Sequence, residues 1–215
     1  MAEQFPEGEN IYGLFIEKAV ADLKVLRDRI LLCKHCPSIP GDSVKRVIGS
    51  GFPIADIFLL KSDLTLDELE SGISFCGRDG EVISKACSAL ENIKFDFIYG
   101  TVSHKCYADN LDMTGLDCSD FISTELRIVR PRIILAMGST AFNTLQKVGY
   151  AGGEQVYSPG ALIRSSQESL ILSTYEISEA LSSEEKKKVF WSHLKLLDKS
   201  YKRMLTLFEK NNPLK

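Results

Sequence analysis

Residues 132–137 read Arg132-Ile133-Ile134-Leu135-Ala136-Met137, and this apolar run is bounded by Pro131 and Gly138. A short, continuously apolar run that is rich in β-branched residues is typical of a strand buried on both faces. Such strands occur mainly in parallel sheets, because crossover helices cover both faces of those sheets. The run therefore predicts an α/β fold with this strand near the middle of the sheet.

Three further apolar runs have the same character, and segments with helical periodicity separate them. The strands are predicted at residues 53–60, 95–101, 132–137 and 170–174, and the helices at 12–32, 80–91, 118–129, 139–148 and 183–210. This alternation predicts parallel strands with helices on both faces. We expect an α/β protein with a three-layer α/β/α sandwich around a central, mostly parallel four-stranded sheet.

The composition limits the classes of function that fit the chain. Its 215 residues suit one large domain, predicted at residues 11–210, after a flexible, polar N-terminus at residues 1–10. A net charge of -3 excludes a global basic field, so any DNA contact must be local. The first residues do not form a signal peptide, and no apolar run approaches the ~18 residues of a membrane helix. We therefore predict a cytoplasmic protein without membrane contact.

The chain has six cysteines, and four of them have spacing that is typical of a metal site. Cys33 and Cys36 are separated by two residues and come directly after the first predicted helix. Cys106 and Cys118 are separated by eleven residues and follow the second predicted strand. In a reducing compartment such cysteines bind metal more often than they form disulfides. Four thiolates can hold either zinc or an iron–sulfur cluster, and the spacing alone does not distinguish the two. Cys76 and Cys87 are interpreted as core residues.

Four motifs follow one another along the chain in a characteristic order. They are Cys33-Lys34-His35-Cys36-Pro37, Phe75-Cys76-Gly77-Arg78-Asp79-Gly80, Tyr99-Gly100-Thr101 with Lys105-Cys106, and the strand from Pro131 to Gly138. In these motifs the chain resembles the iron–sulfur branch, family 4, of the uracil-DNA glycosylase superfamily. The resemblance implies a uracil-DNA glycosylase-like fold and a [4Fe–4S] cluster bound by Cys33, Cys36, Cys106 and Cys118. It also implies that Phe75 stacks on a DNA base, although a core aromatic remains an alternative interpretation.

The polar groups with which that family excises uracil are changed in this sequence. Ser62 stands where the family has the acid that assists the water, and Val102 replaces the Asn that reads the pyrimidine. Glu176 replaces the His that supports the departing uracil anion, and a carboxylate there would be repulsive unless protonated. Thr65 and Glu68 form a capping-box pattern, which predicts a short helix in place of the substrate-binding turn. We therefore predict that standard uracil excision is lost.

A replacement catalytic set is an alternative to this loss. Asp63 is one residue beyond the lost acid, and His104 follows Val102 by two residues, so both can face the same cleft as Glu176. These three residues are the catalytic candidates for a glycosylase that acts on uracil or another damaged base. His104 can also be a neighbour of the cluster beside Cys106.

The sequence is therefore consistent with three functions. The first is a DNA-repair-related, DNA-binding iron–sulfur protein, the second a rewired glycosylase, and the third a protein-interaction module without a nucleic-acid role. The predicted partners are single- or double-stranded DNA and a repair protein. DNA contact would use local basic groups, although such runs are often solvated faces. These groups are Lys45, Arg46, Lys105, Arg127, Arg130, Arg132 and Lys186-Lys187-Lys188.

Overall fold

Buried strands form the centre of the protein, in a computed structural model that describes residues 11–35, 44–107 and 117–211. Within these residues the order of the main six-stranded sheet is β2-β4-β3-β6-β8-β7, and β1 pairs separately with β5. The strands are β1 Lys45–Arg46, β2 Ser50–Gly51, β3 Ile57–Lys61, β4 Ile98–Val102, β5 Cys106–Tyr107, β6 Ile133–Met137, β7 Leu162–Arg164 and β8 Leu170–Thr174.

The four central strands are parallel, as the sequence predicts. β3 pairs with β4 on one side and with β6 on the other, and β6 pairs with β8. The two edge strands, β2 and β7, are antiparallel to their neighbours and were not predicted. They are two and three residues long, so neither contains an apolar run that could reveal it. The predicted four-stranded sheet is thus the middle of a wider, mixed sheet.

Helices cover both faces of this sheet. They are α1 Ile11–Leu31, α2 Leu66–Ser71, α3 Arg78–Ser88, α4 Ser119–Val129, α5 Gly138–Lys147, α6 Ile177–Ala180 and α7 Glu184–Asn211. The predicted helices are confirmed within three residues at each end. The capping box of α2 is also confirmed, because the Thr65 side chain accepts from the Glu68 backbone while the Glu68 side chain accepts from Thr65.

Side chains of each central strand alternate between two hydrophobic cores. Leu59 of β3 and Leu135 of β6 face the core shared with α3 and α7. Phe58 and Ile134, their neighbours in sequence, face the core shared with α4 and α5. This period of two explains why the strands are mostly apolar on both sides, since both faces are buried. The α/β/α sandwich is therefore confirmed.

The remaining predictions concern two cysteines interpreted as core residues, the N-terminus and membrane contact. Cys87 lies in the core beside α7, where burial raises the pKa of its thiol to about 11, whereas Cys76 is only half-buried. The predicted flexible N-terminus, residues 1–10, and Cys36 lie outside the described residues. Among the helices that are described, none is long and apolar enough to cross a membrane.

Candidate functional site

The carboxyl ends of β3, β4, β6 and β8 meet at one edge of the sheet. Open α/β sheets bind their ligands in the crevice at this edge. Ser62 follows β3, Ser103 follows β4, Gly138 follows β6, and Tyr175 and Glu176 follow β8. The side chains in these positions therefore define the candidate site.

The Glu176 side chain, which follows β8, contacts residues at the ends of two other strands. One of them is Ser62, which like Glu176 differs from the residue that family 4 has at its position. The Ser62 backbone N–H donates to Glu176 Oε1 at 2.9 Å, and the Ser62 hydroxyl donates to the same oxygen. The carboxylate also lies against Gly138, where an added Cβ would come within 2.7 Å of Glu176 Cγ and Oε1. Gly138 has a φ of 83°, a backbone conformation that also favours glycine. The acidic side chain therefore closes the crevice between β3, β6 and β8.

The environment of Glu176 favours its protonated form. Burial raises the pKa of this carboxyl from 4.5 to about 7; hydrogen bonds from Ser62 oppose the rise, and the charge of Asp63 adds to it. Within the described chain, Glu176 Oε2 is buried and has no hydrogen-bond partner. A buried carboxyl oxygen without a donor is costly as an anion, which agrees with the raised pKa.

A buried ionic cluster fills the site between β3 and α2. Lys61 is the last residue of β3 and its side chain is fully buried. Its ammonium donates to Glu68 Oε2 at 2.8 Å and also to Asp79 Oδ2. Glu68 accepts in addition from the Thr65 backbone at 2.9 Å and from the Phe75 backbone at 2.6 Å. These bonds hold α2 and the start of α3 firmly against the sheet.

Phe75 lies in the core beside this cluster. Only 8% of the residue is exposed, and the ring lies against Gly100 of β4, where an added Cβ would collide with it. The Lys61 ammonium lies 5.3 Å from the ring centroid, within cation–π range. The ring therefore makes its close contacts with the chain itself.

The three catalytic candidates are only partly brought together. Asp63 accepts a hydrogen bond from the Ser178 hydroxyl and lies near enough to Glu176 to influence its pKa. His104 is influenced instead by Asp117 and Lys147, and burial lowers its pKa. Asp63 and Glu176 thus form one group, while His104 lies in the environment of Asp117.

The comparison with known families agrees with this architecture. The family model of the uracil DNA glycosylase superfamily matches residues 49–195, which is more than half of the chain. The chain belongs to the uracil DNA glycosylase superfamily. A search of the curated proteins finds no matching relative. The matched range contains Cys106 and Cys118 but begins after Cys33 and Cys36, so it shows the superfamily and not the iron–sulfur branch.

Three cysteines of this uracil DNA glycosylase-like domain lie near one another. The Cys106 and Cys118 thiols hydrogen bond, which raises the pKa of Cys106 and lowers that of Cys118 to about 7. The charge of Cys33 also acts on Cys106. The Lys105 backbone N–H donates to Cys118 Sγ at 3.4 Å. In the described parts of the chain, no three His, Cys, Asp or Glu side chains are close enough to bind a metal.

The structure corrects one predicted DNA contact of this superfamily member. Lys105 is fully buried, and its ammonium donates to Glu125 Oε1 at 2.9 Å, to Glu125 Oε2 at 2.8 Å and to the Thr101 hydroxyl. The Tyr99 hydroxyl donates to Glu125 Oε1 at 3.1 Å. Lys105 therefore cannot reach a phosphate, because its charge is used inside the domain to join β4 to α4.

Two functional features escaped the sequence analysis of this glycosylase-like domain. The first is the ionic cluster of Lys61 with Glu68 and Asp79. A lysine that ends a fully apolar strand signals such a cluster, because a buried ammonium needs a carboxylate partner. The second is the contact between Ser62 and Glu176. These residues are 114 positions apart, so only the folded sheet brings them together.

Proposed function

We propose that the protein is a DNA-binding, DNA-repair-related iron–sulfur member of the uracil DNA glycosylase superfamily that has lost standard uracil excision. The main support is that its own side chains fill the crevice at the strand ends. A flipped base needs an open pocket with polar groups that read its edge. Here that volume holds the buried Lys61, Glu68 and Asp79 cluster and the Phe75 ring.

The chemistry of the remaining positions supports the same proposal. Val102 is fully buried in an apolar cluster with Val47 and Leu69, so it offers a base no donor or acceptor. A site built on hydrogen bonds loses several orders of magnitude in discrimination when they are removed. Glu176 becomes an anion above its pKa of about 7, and an anion would repel a departing uracil anion.

The proposal places a [4Fe–4S] cluster at the end of α1, where the spacing of the cysteines and the resemblance to family 4 support it. Cys33, Cys36, Cys106 and Cys118 would hold it; of the three described cysteines, Cys106 and Cys118 are in contact, and Cys33 is close enough to act on the titration of Cys106. Backbone N–H donation to sulfur, as from Lys105 to Cys118, is a common feature of cluster ligands. The cluster would supply a cross-link between α1, β5 and α4, with a structural role.

Anaerobic purification tests the cluster directly. We expect a brown protein that contains iron and acid-labile sulfide and loses both when Cys106 and Cys118 are changed to Ser. Cys87→Ser is the matched control, because Cys87 lies in the core of the other face and its change should leave the iron content intact. A colourless protein that contains zinc would contradict the cluster.

Base release and DNA binding test the rest of the proposal. Cluster-loaded protein is incubated with single- and double-stranded oligonucleotides that contain uracil, beside an active family 4 enzyme. We expect no release, together with DNA binding that weakens as salt rises. Uracil release would contradict the loss of excision. Absence of DNA binding would instead favour a protein-interaction module.

A rewired glycosylase is a second candidate, and Glu176 supports it. A carboxyl with a pKa near 7 is suited to general acid–base catalysis at neutral pH, and Asp63 lies beside it. This candidate predicts release of a damaged base that is abolished by Glu176→Gln. Release that is unaffected by this substitution would eliminate Glu176 as its catalyst.

A further inference from the structure

A long groove follows α1 at a distance from the strand-end site. Its larger section has a volume of about 1000 Å³ and lies between α1 and the end of α4, near Ile54 and Ser169. These two residues precede β3 and β8, so this section lies at the opposite edge of the sheet. A second section of about 470 Å³ shares Val25 and Arg29 with the first and continues to Leu32 and Cys33.

The exposed face of α1 beside the groove carries an apolar row. Ile11, Val25 and Leu32 are 69%, 62% and 76% exposed and are separated by multiples of seven residues, with Lys18 at the intermediate position. Leu32 lies one residue beyond the end of α1. Leu14 and Phe15 are also exposed and extend the row at its first turn. Seven-residue spacing keeps side chains on one face of a helix, and in coiled coils this face packs on a second helix. Exposed apolar patches of this kind mark interaction surfaces.

Arginines line the groove next to this row. Arg127 and Arg130 lie on the α4 side, and Arg29 lies on α1 with its guanidinium 5.9 Å from the centroid of the Phe121 ring. Arg127 donates to the Thr124 hydroxyl and Arg130 to the Arg127 carbonyl. None of the ion pairs among the described residues involves these three arginines. Their positive charge is therefore open to an acidic partner.

We propose that this groove binds an amphipathic helix of a partner protein, with an acidic flank directed at Arg29, Arg127 and Arg130. The 21 residues of α1 provide a seat about 30 Å long, enough for a partner helix of similar length. Val25 and Leu32 can pack on an apolar helix face, and the arginines complement an acidic flank beside it. Tyr12, Phe15 and Tyr150 also line the groove, so competition by single-stranded DNA is part of the test. The proposal is independent of whether the strand-end site is active.

Designed peptides test the groove in the full-length protein. The probe is a fluorescein-labelled 21-residue helix with Leu at positions a and d and Glu at the flanking positions, used at concentrations where it is monomeric. A second peptide carries Lys in place of Glu. We expect the anisotropy of the Glu peptide to report binding at least tenfold tighter than that of the Lys peptide.

Substitutions then locate the binding surface. The double change Arg127→Glu and Arg130→Glu should weaken the Glu peptide at least tenfold and strengthen the Lys peptide, because the charge of the groove is reversed. Val25→Asp should weaken both peptides, since it places a charge in the apolar row. Val156→Asp and Arg164→Glu are matched controls at exposed positions outside the groove and should have no effect.

Four results would overturn the proposal. The first is failure of the Glu peptide to bind, and the second is binding that none of the groove substitutions changes. The third is competition by an oligo-dT strand that depends on Arg127 and Arg130, which would make the groove a nucleic-acid surface. Sedimentation of wild type and Val25→Asp tests whether a second copy of the chain is the occupant. A dimer that Val25→Asp dissolves would also refute the proposal.

Discussion

Lys61→Met is predicted to be among the most destabilising single substitutions at the strand ends. Methionine has a similar length but no charge, so it leaves the carboxylates of Glu68 and Asp79 buried without their cation. The Glu68 side chain would keep its backbone donors at Thr65 and Phe75 and the Thr65 hydroxyl, all of them neutral. Two buried anions would then face each other at the end of β3.

The size of the effect follows from the geometry of the cluster. Opposite unit charges at the 2.8 Å that separates Lys61 Nζ from Glu68 Oε2 attract by about 6 kcal/mol at an effective dielectric of 20. Desolvation of the ammonium cancels much of this gain, so the intact cluster contributes little net stability. Removal of one partner leaves the desolvation cost of the others, which amounts to about 3–5 kcal/mol.

Denaturation by urea, followed by circular dichroism, measures the change in the free energy of unfolding. In a domain of this size, a loss of 3–5 kcal/mol lowers the midpoint of thermal unfolding by on the order of 10 °C. Lys85→Met is the matched control, because its ion pair with Glu81 is exposed, and it should change stability by less than about 0.5 kcal/mol.

The triple variant Lys61→Met, Glu68→Gln and Asp79→Asn separates charge from packing. It should recover about 2 kcal/mol or more relative to Lys61→Met, since no uncompensated charge remains. If Lys61→Met were as stable as the wild type, Glu68 and Asp79 would not be buried anions that depend on Lys61, and the ionic cluster would not occupy the site. The main support for a closed base pocket would then be removed.

Three further substitutions have simple expected outcomes. Burial raises the pKa of Glu176 to about 7, so the folded state holds a proton that the unfolded state releases, and wild-type stability falls as pH rises from 4.5 to 7. Glu176→Gln should remove this dependence of stability on pH and be more stable than wild type above pH 7 by about 3 kcal/mol. Denaturation across the pH range measures this, and the same pH dependence in both proteins would contradict the raised pKa of Glu176. Asp198→Ala removes the acceptor for the Asn92 backbone and side chain, at 2.9 and 2.8 Å, and should cost about 2–4 kcal/mol in urea denaturation, with Asp198→Asn less harmful. Tyr99→Phe removes one donor to Glu125 and should cost about 1 kcal/mol by thermal unfolding, while a loss as large as that of Lys61→Met would mean that the hydroxyl has another role.

The central sheet could be predicted because its signal is local. Each central strand is apolar on both faces, and the run 170–174 coincides with β8. The run 95–101 is displaced from β4, because residues Phe95–Phe97 form a 3₁₀ turn before the strand begins at Ile98. The edge strands β2 and β7 depend on pairing with a neighbour and not on their own composition, so the sequence contains little sign of them.

The candidate site was predictable only in part, for a physical reason. The changes at Ser62, Val102 and Glu176 are visible in sequence because each stands at a strand end. Their consequence is not, because it depends on contacts between distant segments, such as Ser62 with Glu176 and Lys61 with Asp79. The cluster cysteines stay a prediction, since Cys36 lies outside the described residues.

Under the proposed loss of uracil excision, no single substitution toward the family 4 residues is expected to create a base-binding pocket. Val102→Asn would place an amide in the apolar cluster with Val47 and Leu69, where its unpaired polar atoms would cost about 1–3 kcal/mol. An acid restored at position 62 would meet the carboxyl of Glu176, which already lies against Gly138. The Lys61 cluster would still occupy the floor of the site. Because each substitution is opposed by a neighbouring side chain, the proposed loss of excision predicts that uracil release would require several of these positions to change together.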